Sequence, residues 1–83
     1  MEAYGYLSLY QIVYNQYMIN PSIVRLLLEK SEQEAAALLN KFNCKWRVMC
    51  RNGKMVPDLT ADRDDNRYNL VIQSGKIVRV MPG

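Results

Sequence analysis

The sequence predicts an α+β fold, with helices in the first half of the chain and short strands in the second. Capped segments with helical periodicity occur up to about residue 43, and period-two alternation begins at Lys45. The chain has 83 residues, the size of one small domain, and its apolar fraction of 49% is typical of a globular protein. We expect an N-terminal helical extension over residues 1–30, packed on an α+β domain over residues 31–83.

The extension opens with a predicted helix over residues 3–19 that is apolar around most of its circumference. Such a helix must be covered on more than one side, and one small domain offers a single core. Its tyrosines have two interpretations that stay open: a broad core face with solvated hydroxyl groups, or an interface with a partner or with a second copy in a homodimer. The candidate interface residues are Tyr6, Tyr10, Tyr14 and Tyr17. Polar residues and Pro21 interrupt the uncharged run, so we expect no membrane span.

Two more helices are predicted from their start signals. Asn20 as N-cap and Pro21 in the first turn open a helix over residues 22–30. Ser31 and the glutamate three residues later form a capping box, which opens a helix over residues 32–42. The buried stripe of this last helix is predicted to be Ala35, Leu38, Leu39 and Phe42.

The first predicted strand, Lys45–Arg51, alternates between apolar and mainly basic side chains. Its inward face is predicted to be Trp46, Val48 and Cys50, and its outward face Lys45, Arg47, Met49 and Arg51. We interpret the basic face as a solvated strand face, because no stacking aromatic residues are interleaved with it as they are in nucleic-acid surfaces.

The remaining strands are predicted around two turns. Asn52-Gly53 is a turn signal, after which residues 54–66 are predicted to be mostly loop. Arg67–Gln73 is a predicted strand, and Ser74-Gly75 is a tight hairpin turn to a last strand over residues 76–81. Tyr68, Leu70 and Ile72 are predicted to share one side of the first of these strands, and the second carries the apolar residues Ile77, Val78 and Val80.

The end of the long loop carries the features that we expect to matter for function. Arg67 and Asn69 lie two positions apart on a strand, so their side chains point to the same face. We predict that both reach back under the loop and bond Thr60 and Asp62. A loop held in this way is pre-organised, which favours tight binding because little conformational entropy remains to be lost.

Composition excludes several other classes. The chain has no His and two Cys, which argues against a zinc site, and we expect neither a metal nor a cofactor. It contains no nucleophile motif and no phosphate-binding glycine loop, so we expect that it is not an enzyme. The net charge of +3 does not indicate a nucleic-acid binder. The start of the sequence lacks the pattern of a secretory signal, from which we expect a cytoplasmic protein.

Residues 30–83 resemble the potato inhibitor I type of serine protease inhibitor, and are most similar to its microbial, elastase-inhibitor-like branch. The shared pattern is Lys30-Ser31-x-x-Glu34-Ala35, Gly53, Thr60-x-Asp62, Arg67-x-Asn69-Leu70, Gly75-x-Ile77-x-Arg79-Val80 and Gly83. The resemblance implies a helix packed on a small mixed three-stranded sheet, in which an exposed binding loop connects two parallel strands.

The same resemblance implies how the loop would act. In such inhibitors the loop enters a protease cleft as an extended substrate mimic, supported from below by residues that match Arg67 and Asn69 here. The position that matches the primary specificity residue is Ala61, which would suit an elastase-like or subtilisin-like pocket. The implied binding loop is Leu59, Thr60, Ala61, Asp62, Arg63 and Asp64.

A second function class stays open from the residues themselves. The chain could be an intracellular inhibitor, of phage or mobile-element origin, that blocks a bacterial defence enzyme. In that case the Tyr-rich helix would be a contact surface, or acidic loop residues would imitate phosphates in a basic channel. The acidic residues concerned are Asp58, Asp62, Asp64 and Asp65. Both hypotheses describe an inhibitor that acts on a protein target by protein–protein contact.

Overall fold

A computed structural model describes residues 19–57 and 59–83 of the chain. Within these residues the fold is α+β, with two helices and a four-stranded mixed sheet. The helices are α1 (Pro21–Leu27) and α2 (Glu32–Lys41), and the strands are β1 (Lys45–Arg51), β2 (Lys54–Met55), β3 (Arg67–Gln73) and β4 (Lys76–Pro82). The predicted helix over residues 3–19 and its four interface tyrosines lie outside the described residues, apart from Ile19.

Both helices begin at the predicted caps. The Asn20 side chain accepts a hydrogen bond from the Ser22 N–H, and Pro21 takes the first helical position. Ser31 and Glu34 form the capping box, since each side chain bonds the backbone N–H of the other residue. Neither described helix combines the length and apolarity that crossing a bilayer requires.

Helix α1 is shorter than predicted and ends at Leu27 instead of residue 30. The chain leaves the helix because Glu29 and Lys30 pair with the edge of β4. The Glu29 N–H donates to the Ile77 carbonyl and the Ile77 N–H donates to the Lys30 carbonyl, both over 2.8 Å. Glu29 adopts a positive φ of 70° at this point, which is uncommon for a residue with a side chain.

The sheet has the strand order β2-β1-β3-β4. Strands β1 and β3 are parallel, whereas β1–β2 and β3–β4 are antiparallel hairpins. The sheet therefore has four strands instead of the predicted three, because the Asn52-Gly53 turn is itself a hairpin turn that brings Lys54 and Met55 back beside β1. Positive φ angles at both of its residues are those of a type I′ turn, whose twist suits a hairpin.

One hydrophobic core lies between the helices and one face of the sheet. Its buried residues are Ile19, Leu27, Ala35, Leu39, Tyr68, Leu70, Ile72 and Ile77. Ile19 and Leu27, which belong to the predicted N-terminal extension, are part of the same core as residues of the predicted α+β domain. Phe42, predicted as part of the buried stripe, is 43% exposed because the helix ends before it.

A bulge in β1 changes which residues face the helices. The register passes from Val48 opposite Leu70 to Cys50 opposite Val71, so one residue of β1 is left over. Cys50 consequently shares the face of Val71, away from the helices, which corrects its predicted inward position. Arg51 is turned to the helix side, where its guanidinium bonds both Glu32 carboxylate oxygens at 2.7 and 3.0 Å.

Candidate functional site

Residues 59–64, which we call the 59–64 loop, lie in the connection between the parallel strands β1 and β3. Residues 60–63 are exposed, whereas Leu59 and Asp64 at the two ends are half-buried. The side chains that contact the loop come from the sheet face opposite the helices. The loop is therefore an exposed segment that is anchored at both ends over a polar sheet surface.

Arg67, at the start of β3, holds the residue that follows Ala61. Its Nη1 lies 3.2 Å from the Asp62 carboxylate Oδ2, and its Nη2 donates to the Asp62 carbonyl over 3.0 Å. Its Nε donates to the Gly83 main-chain oxygen over 2.8 Å. The predicted contact between Arg67 and Asp62 is present, and it uses the planar fork of a guanidinium to fix both a side chain and a carbonyl.

Asn69 does not bond the loop, which corrects the prediction for this residue. Its amide group instead bonds three other residues. The oxygen Oδ1 accepts from Arg47 Nε over 2.6 Å. The nitrogen Nδ2 donates to the Met81 and Gly83 oxygens over 3.1 and 2.7 Å. Asn69 is only 1% exposed although it faces away from the apolar core. An amide of this length on β3 reaches the neighbouring strands and no further.

Arg47 of β1 is the loop contact that the sequence interpretation missed. Its Nη1 donates to the Thr60 hydroxyl over 3.1 Å and lies 3.5 Å from the Thr60 carbonyl oxygen. We expected its strand face to be solvated. The signal that could have identified it is the parallel pairing of β1 with β3, which places Arg47 opposite Asn69 and on the same face.

Lys45, also assigned to the solvated face of β1, holds the far end of the loop. Its ammonium lies 2.6 Å from the Asp64 carboxylate. The other Asp64 oxygen accepts the Asn66 N–H over 3.0 Å, and the Asp64 carbonyl accepts the Arg67 N–H over 2.9 Å. Asp64 thereby closes the turn that leads into β3.

The carboxyl groups of the loop titrate below their ordinary range. A hydrogen bond from the Thr60 hydroxyl and then the positive charge of Arg67 lower the pKa of Asp62. A hydrogen bond from Lys45 and then the Asn66 N–H lower the pKa of Asp64. Asp65 is paired with Arg63 over 2.8 Å on the exposed side. At neutral pH the Asp62 and Asp64 carboxylates are ionised, and each lies beside a cation of the same chain.

An open cleft of about 530 Å³ lies between the loop and the end of β4. It is lined by Arg47, Thr60, Ala61, Asp62, Arg63, Asp65, Pro82 and Gly83. Across residues 19–57 and 59–83, His, Cys, Asp and Glu side chains form no cluster of three or more that could hold a metal ion. The chemistry that the site offers is the display of a main-chain segment in a fixed shape.

Comparison of the chain with family models, with curated proteins and with solved structures found no match.

Proposed function

We propose that this protein is an inhibitor that acts by protein–protein contact, and that the 59–64 loop enters the cleft of a serine protease as a substrate mimic. One observation carries the proposal. Ala61 is exposed, while guanidinium groups from two neighbouring strands hold the residues on either side of it. This is the support that the resemblance to potato inhibitor I-type inhibitors implies, supplied here by Arg67 and Arg47.

The loop is expected to bind tightly because its backbone is ordered before it meets a protease. Ordering the backbone of one flexible residue costs about 1–2 kcal/mol. A peptide with the sequence of residues 59–64 would bear that cost on entering a cleft, whereas a loop already fixed at Thr60 and Asp62 bears little of it. The saving over two residues corresponds to roughly 30-fold to 1000-fold in affinity.

The side chain at the centre of the loop indicates the kind of protease. Ala61 presents a single methyl group, which leaves a deep specificity pocket unfilled but suits a shallow or occluded one. Elastase-like and subtilisin-like enzymes are therefore the proposed targets.

The two ends of the Ala61–Asp62 bond also have separate supports. Thr60 is bonded from β1 and Asp62 from β3, and β1 and β3 are themselves paired in the sheet. A protease that cut this bond would leave both new ends in place, so slow turnover at this peptide bond is part of the proposal.

A specificity exchange tests the proposal. Wild-type protein is expected to inhibit an elastase-like or subtilisin-like protease at micromolar concentration or below, and Ala61→Arg is expected to move inhibition to a trypsin-like protease. Ala37→Arg is the matched control, because Ala37 is exposed on α2, far along the chain from the loop. Absence of inhibition by the wild type, or rapid cleavage after Ala61, would contradict the proposal.

Imitation of phosphates by the acidic loop, as an inhibitor of a bacterial defence enzyme, has less support. Asp62, Asp64 and Asp65 are each within 3.2 Å of a cationic side chain of the same chain, so their charges are largely compensated. Asp58 and the Tyr-rich helix lie outside the described residues. That function, homodimerisation through the tyrosines and a cytoplasmic location stay predictions from sequence.

A further inference from the structure

We infer that Arg47 is the positioning residue for the segment that precedes Ala61, and that Asn69 positions Arg47 instead of the loop. The inference deepens the proposed inhibitory function, on which its inhibition readout rests. Its structural part concerns the free protein and can be tested separately.

Asn69 has one orientation that satisfies its surroundings. The Met81 and Gly83 oxygens only accept hydrogen bonds, so they require the amide nitrogen, whose two hydrogens they share. The guanidinium of Arg47 only donates, so it requires the amide oxygen. Because the side chain is buried, leaving any of these groups unpaired is unfavourable, and the amide is locked with its oxygen toward β1.

The locked amide oxygen fixes the direction of Arg47. A bond of 2.6 Å to Nε holds the near side of the planar guanidinium, which leaves Nη1 directed at the Thr60 hydroxyl. A lysine at this position carries the same charge but has no rigid fork with which to bond both partners. A chain of hydrogen bonds, which we call the relay, therefore runs from β4 through Asn69 and Arg47 to Thr60.

The relay divides the support of the loop between two strands. The side before the Ala61–Asp62 bond depends on β1 through Arg47, and the side after it depends on β3 through Arg67. Loss of either guanidinium should consequently loosen one side of the bond more than the other.

The test measures backbone order by nuclear magnetic resonance relaxation in the free protein. Order parameters at Thr60 and Ala61 are expected to fall from about 0.85 to below about 0.6 in Arg47→Gln and Arg47→Lys. Arg67→Gln should instead act mainly at Asp62 and Arg63. Arg79→Gln, which removes an exposed arginine from β4, is the matched control and should change neither side.

Two further variants keep the inference testable if loss of Arg47 unfolds the chain. Thr60→Val removes the same hydrogen bond from an exposed position, together with the bond from this hydroxyl to Asp62, and should reproduce the loosening at residues 60 and 61. Asn69→Asp keeps an oxygen for Arg47 but loses both donors to the Met81 and Gly83 oxygens, and should loosen the same residues through misplacement of Arg47. Unchanged order in Thr60→Val and Asn69→Asp would overturn the inference.

Inhibition assays separate the inference from the proposed function. If a protease is inhibited by the wild type, Arg47→Lys should weaken inhibition and speed cleavage after Ala61 by about tenfold or more. Arg47→Lys combined with Thr60→Val should weaken inhibition by less than the sum of the two single effects, because the Arg47–Thr60 bond can be lost only once. If no protease is inhibited but loop order still falls in these variants, the proposed function fails and the positioning role stands. Full inhibition by Arg47→Lys with an intact, ordered loop would overturn the positioning role.

Discussion

The two faces of the sheet are built by different physical means. On the helix side, Leu70, Ile72 and Ile77 are at most 4% exposed and pack with side chains of both helices. On the loop side, Asn69 is as buried as they are, yet its side chain forms polar bonds with three residues, Arg47, Met81 and Gly83. The same central strand therefore contributes to an apolar core through one set of side chains and to a polar support through the other.

This difference predicts that the helix side determines the free energy of unfolding, whereas the loop side determines the conformation of the 59–64 loop. Burial of a leucine side chain contributes about 1.5–3 kcal/mol and depends little on direction, whereas one hydrogen bond contributes about 0.5–1.5 kcal/mol net and depends strongly on geometry. We expect changes on the helix side to lower the free energy of unfolding, and changes on the loop side to disorder the loop. Each prediction below tests that separation.

Leu70→Ala should cause the largest loss of stability. Leu70 is fully buried in β3 between both neighbouring strands, and truncation should cost about 2–5 kcal/mol, a large share of the stability of a small domain. Urea unfolding followed by circular dichroism measures the effect. The fraction that stays folded should retain the loop order of the wild type.

Leu26→Ala is the matched control, because Leu26 is 47% exposed on α1 and should change the free energy of unfolding by less than about 0.5 kcal/mol. Equal effects of the two substitutions, or a disordered loop in folded Leu70→Ala, would contradict the separation.

Arg67→Gln should disorder the loop and weaken inhibition, but it should change the free energy of unfolding less than Leu70→Ala does. The substitution removes the guanidinium that bonds the Asp62 carboxylate and carbonyl, so Asp62 and its neighbour regain conformational freedom. Ordering two residues again on binding costs about 2–4 kcal/mol, which corresponds to roughly 30-fold to 1000-fold weaker inhibition. Inhibition constants and the rate of cleavage after Ala61 measure it.

The urea midpoint of Arg67→Gln should shift less than that of Leu70→Ala. A larger shift would mean that the loop side contributes more to global stability than its polar contacts suggest.

The sequence predicted the helix side well because burial there follows local patterns. Alternation placed Tyr68, Leu70 and Ile72 on one side of β3, and all of them are buried. The capping box placed the start of α2, and Ser74-Gly75 placed the last hairpin, because each depends on neighbours in the sequence.

The loop side was predicted only in part because it depends on how strands pair. The contact of Arg67 with Asp62 spans five residues and could be anticipated from alternation. The contact of Arg47 with Asn69 spans 22 residues and exists only because β1 and β3 are parallel and in this register. The bulge that turns Arg51 toward α2 has the same origin, since alternation within β1 gives no sign of an extra residue.

Acidification should loosen the loop because it protonates Asp62 and Asp64. The pKa values of Asp62 and Asp64 are lowered in the folded protein, so their contribution is fully present above the ordinary carboxyl pKa of about 4. It is lost as the pH falls below that value and through the lowered pKa values. Loop order should thus be constant from pH 7 to 5 and should fall below about pH 4, as residue-specific resonance titrations can measure.

Asp62→Asn is the control for this titration. Because the asparagine amide does not titrate in this range, the substitution should remove the part of the pH dependence that comes from Asp62. Glu32 and Glu34 also have lowered pKa values, caused mainly by Arg51 and by the Ser31 backbone, so global stability should decline in the same acidic range. Loosening of the loop between pH 7 and 5 would contradict the assignment to these carboxyl groups.

Arg63→Ala should have the smallest effect, although Arg63 lies inside the loop. Its side chain is 82% exposed, and its partner Asp65 lies on the surface, so solvent screens the pair. The order parameters at Thr60 and Asp62 and the urea midpoint should match those of the wild type within error. If Arg63→Ala disordered the loop as Arg67→Gln is expected to do, the shape of the loop would depend on its overall charge balance. An unchanged loop would instead assign that shape to the two arginines beneath it, whose rigid guanidinium groups form directional bonds to Thr60 and Asp62.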